Sequence, residues 1–319
     1  MQAAVLRTLG MPPRCELFPD PVAGDGEVTV TVRAASLKPV DKQLASGSHY
    51  TRPHELPMVC GTDGVGALND GQRVCFGGPR APFGAMAQRT VVPRAFCFPI
   101  PDSVDDETGA ALPNPGVSAW LSLSFRAKLA PGENVLILGA TGITGRLAVK
   151  IAKLLGPAQV LAAGRSPHFL STLPQFGADA TIRLDLPAEE LSAAFARETA
   201  DSGFQVVIDY LWGRPTEALL AAITRKEFAA IKSEIRLVQV DESAGPAISL
   251  PAAVLRSAPL TIVGTGGIPP ANVLFEALPR VFAHAASGEL RIDTDRVPLE
   301  DIEVAWQRDP LGRRLVIIP

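Results

Sequence analysis

The residues best suited to chemistry are Gly139-Ala140-Thr141-Gly142-Ile143-Thr144-Gly145. They form a G-x-x-G-x-x-G turn between an apolar run ending at Leu138 and a helical pattern starting near Gly145. Glycine in that setting permits a tight turn, lets a pyrophosphate reach the backbone and lets helix and strand approach closely. The helix start adds free N–H groups and positive potential. A glycine turn alone describes a structural bend equally well, and the strand–turn–helix–strand context is what points to a dinucleotide. The next strand ends at Gly164-Arg165-Ser166, with no acid there to accept from a ribose 2′-hydroxyl. Arg165, 20 residues after Gly145, offers a guanidinium suited to a 2′-phosphate, and Ser166 adds a hydroxyl. The expected cofactor is therefore NADPH; the alternative for Arg165 is a solvated surface arginine.

Metal chemistry finds little support. The 4 cysteines, at 15, 60, 75 and 97, are 15 or more residues apart, far from zinc-ligand spacing and too few for a disulfide scaffold. The 4 histidines, at 49, 54, 168 and 284, form no helical metal motif. No metal is expected. A net charge of −3 is far from the basic balance of a nucleic-acid binder. No stretch approaches 18 uninterrupted apolar residues, and the N-terminus reads as a short strand rather than a leader. The expectation is a cytoplasmic protein with reduced thiols and no membrane or nucleic-acid partner.

The elements that must position these residues follow from periodicity. A chain of 319 residues suits about two domains. Its prolines are uneven: 14 in residues 1–115, 8 in 116–256 and 7 in 257–319. That distribution predicts a regular α/β unit set between two parts of a turn-rich one. Residues 27–34 (EVTVTVRA) alternate as a half-buried strand does, and 71–76 and 84–92 read as further strands. Pro113-Asn114-Pro115-Gly116 is expected to interrupt a helix, with another following over 117–129. The run 134–138 is apolar throughout, as in a parallel strand buried on both faces. Helical and strand patterns then alternate to residue 240, which predicts a doubly wound parallel sheet.

Short segments along nearly the whole chain resemble the medium-chain dehydrogenase/reductase superfamily, and within it the zinc-free quinone oxidoreductase branch that includes zeta-crystallin. Residues 34–41 (AASLKPVD) match its A-x-G-V-N-P-x-D, and 56–66 (LPMVCGTDGVG) match L-P-x-x-x-G-x-E-G-x-G. Residues 84–88 (GAMAQ) match G-x-Y-A-E, and 110–120 (AALPNPGVSAW) match A-A-L-P…G-x-T-A. The resemblance implies a GroES-like β-rich catalytic domain interrupted by a Rossmann domain, with the active site in the cleft between them. The expected boundaries are 1–115 for the first catalytic part, 116–268 for the NADPH-binding domain and 269–319 for the returning catalytic part. Zinc-dependent relatives carry Cys near position 38 and His near 62; Lys38 and Thr62 stand there instead.

The same resemblance nominates Lys38, Tyr50 and Asp41 as catalytic. Lys38 departs from the branch's usual Asn. As an ammonium near the nicotinamide it would stabilise an enolate or quinol oxyanion, and with a depressed pKa it would donate a proton. The alternative is a solvated loop lysine. Tyr50 falls where relatives flank nicotinamide and substrate, or else it packs a loop. Asp41 orients the loop carrying Lys38 or simply serves a turn. Ser118 matches a threonine near the nicotinamide, or caps a helix start. Gly264-Thr265-Gly266-Gly267 resembles a loop near the nicotinamide, which adds Gly264 and Thr265 to the cofactor set, or else it is an ordinary turn. Residues 259–264 resemble the strand through which relatives form homodimers, and an apolar edge strand must be covered or paired.

The expected activity is zinc-free hydride transfer from NADPH to a quinone. The first alternative is reduction of an enone, alkenal or other activated alkene on the same scaffold. An alternative of another class is a non-catalytic NADPH-binding sensor or crystallin-like protein.

Overall fold

A computed structural model describes residues 1–51, 55–198, 203–224, 234–266, 271–309 and 311–319. His54 and Gly267 lie outside the described residues. The chain divides into two compact units, one of Met1–Asn114 with Arg280–Pro319 and one of Pro115–Pro279.

The strands, in chain order, begin with β1 (Gln2–Leu6), β2 (Arg14–Leu17), β3 (Glu27–Ser36) and β4 (Met58–Val59). Then come β5 (Asp63–Ala67), β6 (Arg73–Gly77), β7 (Arg89–Pro93) and β8 (Cys97–Pro99). The second unit contributes β9 (Asn134–Leu138), β10 (Gln159–Gly164), β11 (Ala180–Arg183), β12 (Val206–Asp209), β13 (Ile235–Gln239) and β14 (Leu260–Gly264). The chain closes with β15 (Thr294–Pro298) and β16 (Arg314–Ile318).

In the first unit one sheet runs β2-β1-β4 and a larger one β15-β16-β3-β5-β6-β8, with β7 also paired to β3. β3 is the hub. Val30, Val32 and Ala34 are buried while Thr31 and Arg33 face out, as its alternating sequence requires. Its N-terminal part pairs with β7 and its C-terminal end meets β16, so the returning segment closes onto the first. The core gathers Leu6, Val30, Phe76, Met86, Leu315 and Ile317. The strand expected over 84–92 is confined to β7. Residues 84–88 instead make isolated backbone bonds, Met86 donating to the Cys60 carbonyl and accepting from the Ala4 amide, and a Cβ at Gly84 would lie 2.2 Å from the Val59 carbonyl oxygen.

The second unit is a parallel sheet in the order β11-β10-β9-β12-β13-β14. All five residues of β9 are buried, as its uninterrupted apolar run predicts for a central strand. Leu136, Leu138 and Val207 pack against Leu191, Phe195 and Leu219 of the helices Ala188–Glu198 and Gly213–Ile223. The chain builds β9, β10 and β11 in one direction and then returns to place β12 on the other side of β9. The order therefore switches between β9 and β12, where α/β sheets open a crevice for ligands. This is the expected mixed architecture, an antiparallel unit with an inserted doubly wound sheet.

One local expectation is refined. A helix, Asp106–Ala111, does end just before the proline pair, but Pro113 and Pro115 are not a gap; they begin the next helix, Pro113–Leu121, rather than one starting at 117. In a first turn the missing proline N–H has no helical partner to lose. The helix then widens over Ser122–Arg126, where the Ala127 amide donates to the Ser122 carbonyl at 2.9 Å.

Candidate functional site

The glycine turn sits where the sequence predicts, between β9 and the helix Ile143–Leu155. Gly139 has φ 86, a left-handed conformation costly for any other residue. A Cβ at Gly145 would lie 2.2 Å from the Gly139 carbonyl oxygen and 2.7 Å from the Ala140 Cα, so only glycine lets the helix approach the turn. The Gly139 and Ala140 amides donate to the Ala163 carbonyl at 3.0 and 2.9 Å, and the Gly142 amide donates to the Gly139 carbonyl at 3.0 Å. These bonds fix the turn to β10. No side chain caps the helix at Gly142, and its first-turn amides at Ile143, Thr144 and Gly145 have no intrahelical acceptor. The result is an uncapped, glycine-lined cradle whose free amides suit an anion. The Thr141 side chain packs onto Gly164 at the end of β10.

Arg165 is exposed at that strand end and, among the described residues, makes no ion pair. In the adjacent strand Arg183 stands in register with Gly164, but Asp185 neutralises it at 2.6 Å. Arg165 is thus the uncommitted cation beside the cradle. The Ser166 hydroxyl accepts from the Phe169 amide at 3.4 Å as a helix cap, a role the sequence reading had not given it. Ser118 is half-buried in the middle of its helix, which removes the capping alternative.

Gly264 ends β14, and the Thr265 amide donates to the Gln239 carbonyl at 3.1 Å. The loop is held from its other side by Arg126, whose Nη2 donates to the Thr265 and Gly266 carbonyls at 2.6 and 2.8 Å. The wide turn ending at Arg126 aims this guanidinium, which also lies 5.2 Å from the Phe125 ring. The sequence reading missed Arg126. Its only signal was a basic residue inside an otherwise apolar helical run.

In the other unit Lys38 precedes the helix Pro39–Ser46 and is almost wholly buried, at 1% exposure. Its Nζ donates to Asp63 Oδ1 at 2.8 Å and to the Ser36 carbonyl at 3.0 Å, and it lies 3.2 Å from Asp41 Oδ2 and 3.4 Å from Ser36 Oγ. An ammonium has three N–H groups, and these oxygens occupy all of them. Burial alone would lower the Lys38 pKa, but the Asp41 and Asp63 carboxylates outweigh it and hold the ammonium above the ordinary lysine value. Two expectations are corrected here: Lys38 is not a solvated loop residue, and its pKa is not depressed.

Asp41 completes the cluster. Its Oδ2 accepts from the Lys38 backbone amide at 2.8 Å, closing a capping box. Its Oδ1 accepts from the Thr62 amide and hydroxyl at 3.2 and 3.3 Å. Arg314 on β16 adds a second buried cation, donating to the Leu37 carbonyl at 3.2 Å. Burial lowers its pKa, opposed by Asp41 and Asp63. Sequence reasoning missed Asp63 and Arg314, although Asp63 stands at the acidic position of the G-x-E-G-x-G match. Tyr50 is 92% exposed with its ring 4.0 Å from that of His49, and no hydrogen bond joins it to Lys38 or Asp41. Among the described residues no three His, Cys, Asp or Glu side chains are grouped to hold a metal ion.

A switch-point glycine cradle in a parallel sheet, with a second antiparallel unit built from both ends of the chain, defines a dinucleotide-binding α/β protein. No family model matches the chain. It is 30% identical over 251 residues to quinone oxidoreductase-like protein 2 of Bos taurus, covering 75% of this chain and 67% of that one. It is 27% identical over 219 residues to prostaglandin reductase-3 of Mus musculus, covering 65% of this chain and 55% of that one. Among solved structures, the quinone oxidoreductase of Thermus thermophilus, determined alone and with NADPH, superposes with a TM-score of 0.81 at 28% identity over the full length of both chains. The chain belongs to the quinone oxidoreductase family of the medium-chain dehydrogenase/reductase superfamily.

Proposed function

We propose that this protein is an NADPH-dependent oxidoreductase that reduces a quinone without zinc. The observation that carries the cofactor choice is Arg165, exposed and uncommitted one strand from an uncapped glycine cradle. The residues fit the group. The backbone at 139–145 comes close enough to exclude a Cβ at Gly145, the amides at 143–145 suit a pyrophosphate, and Arg165 suits a 2′-phosphate. When bound, NADPH supplies the hydride.

The chain's own residues bind and orient. Arg126 holds the Thr265 and Gly266 carbonyls at the carboxyl end of β14. Lys38 acts as a positioning residue. Its ammonium ties Ser36, Asp41 and Asp63 together and, through Asp41, sets the Thr62 amide and hydroxyl. A fixed cation among these oxygens speaks against a second one there, so the donor set supports zinc-free chemistry. The family's quinone oxidoreductases support quinone as acceptor. The likeness to prostaglandin reductase-3 favours an enone or alkenal as the second reading.

Two coarser features accompany this reading. Among the described residues β14 pairs only with β13, and it is half exposed along an apolar sequence, which supports a homodimer formed along that edge. Four free cysteines, Cys60 and Cys75 buried among them, support a reducing, cytoplasmic setting.

The test follows NADPH and NADH oxidation against a quinone, an alkenal, an aldehyde and no acceptor. Quinone-dependent NADPH oxidation is expected. Faster turnover of the alkenal would move the assignment to the second reading. Tight NADPH binding with no turnover of any acceptor would contradict an enzyme and favour the sensor class.

A further inference from the structure

Arg146 stands in the first turn of the helix Ile143–Leu155, one residue past Gly145, and its amide donates to the Gly142 carbonyl at 2.9 Å. A cation there is out of place on helix grounds alone. The first turn carries the positive end of the helix dipole, which favours acids and disfavours bases. No acidic residue stands in that turn. The charge of Arg146 therefore adds to the positive potential of the cradle instead of relieving it.

The guanidinium has a defined seat. Its carbon lies over the Phe169 ring, 5.1 Å from the centroid, within the range at which an aromatic face holds a cation. Phe169 belongs to the short helix Pro167–Leu170, and its amide donates to the Ser166 hydroxyl at 3.4 Å. The Leu170 amide donates to the Ser166 carbonyl at 2.9 Å. Phe169 is thereby tied to the residue that directly follows Arg165, at the end of β10. The ring brings the Arg146 head from the cradle helix to the segment that begins with Arg165. This region is open to a ligand: Arg146 and Phe169 are half-buried and Arg165 is exposed.

Two arginines from two elements, together with the open amides of a helix start, thus bring positive charge to one strand end. The neighbouring strand shows the contrary arrangement, with Asp185 at 2.6 Å from Arg183. Like charges gathered in this way repel unless an anion lies among them. Lying over a ring uses none of a guanidinium's N–H groups, and a phosphate ester accepts from more than one guanidinium at once. We propose that Arg146, held on the Phe169 ring, is a second ligand of the 2′-phosphate of bound NADPH. This rests on the dinucleotide reading above and adds a cation from the cradle helix to Arg165 at the next strand end.

The test measures the Kd for NADPH and for NADH, which differ only in the 2′-phosphate, and the unfolding midpoint without ligand. Arg146→Gln is expected to raise the Kd for NADPH about tenfold and to leave the Kd for NADH unchanged. The midpoint should be unchanged or higher, because a first-turn cation has been removed. Phe169→Leu keeps the charge and removes the ring, so it should raise the Kd for NADPH by a smaller factor and also spare NADH; an unchanged value would overturn the part given to the ring. Equal weakening of both cofactors by Arg146→Gln would show that Arg146 holds the cradle rather than reads the phosphate, and would overturn the proposal. So would an unchanged Kd for NADPH. Arg146→Lys covers the case of a glutamine variant that does not fold: a partial loss confined to NADPH is expected, and equal loss for both cofactors would again overturn the proposal. A wild-type preference for NADPH that survives in Arg146→Gln overturns this proposal alone. A wild-type chain that binds neither cofactor overturns the dinucleotide reading with it.

Discussion

Lys38 and Arg165 are both cations, and their surroundings assign them opposite work. Lys38 is walled in by carboxylates and Arg165 is left to solvent. Removing Lys38 strands two acidic side chains. Lys38→Met is therefore expected to destabilise the first unit by ~3–5 kcal/mol, measured by chemical denaturation. The sign with pH is definite. Because the folded-state pKa is raised, the ammonium's stabilisation is complete below the unfolded lysine value of about 10.4. It is lost as pH rises through the folded value. The stability gap between wild type and Lys38→Met should be constant near neutral pH, narrow in strong alkali as the ammonium deprotonates, and narrow in acid as Asp63, raised by burial above the usual carboxylate value, takes up a proton. A gap that stays the same from acid to alkali would contradict the ion-pair account. Arg165→Ala should raise the Kd for NADPH about ten- to a hundredfold, the range of lost charge-assisted bonds, and spare NADH. Equal loss for both cofactors would remove the 2′-phosphate role.

At the scale of elements, the cradle depends on one close approach and one clamp. Gly145→Ala drives a Cβ into the Gly139 carbonyl, so backbone must shift. A cost of ~1–3 kcal/mol in stability is expected, with NADPH affinity falling further than stability does; titration and melting together check this. Arg126→Gln should loosen the Thr265–Gly266 loop, visible as faster amide exchange at Thr265 and a higher KM for NADPH. What was legible in the sequence was local. The β9 run, the glycine turn and the alternation of β3 each declare themselves within a few residues. The Lys38 cluster did not, because its partners are distant. Asp63 is 25 residues away, and Arg314 meets Leu37 across 277. The proline pair at 113 and 115 was legible in part. The preceding helix does end before it, but whether the prolines lie in a gap or in the next helix depends on where the first turn falls.

For the molecule as a whole, proline density foretold an α/β unit within a turn-rich one, and strand order shows the mechanism: β16 returns beside β3 while β9–β14 form a sheet of their own. The family relationship agrees with that architecture. The proposed homodimer rests on the half-exposed edge at β14, and if it forms, light scattering returns twice the 33.6 kDa of one chain. A charged substitution on that strand, Ile262→Lys, should shift the mass toward one chain; a wild-type monomer at working concentration would contradict the homodimer.

The central claim, that the cradle and Arg165 serve NADPH-dependent quinone reduction, is tested most directly by the initial rate of quinone-dependent cofactor oxidation with NADPH and with NADH at equal, subsaturating concentrations. The account predicts a clear preference for NADPH that disappears in Arg165→Ala. Equal rates with the two cofactors in the wild-type protein, or no quinone-dependent oxidation at all, would contradict it.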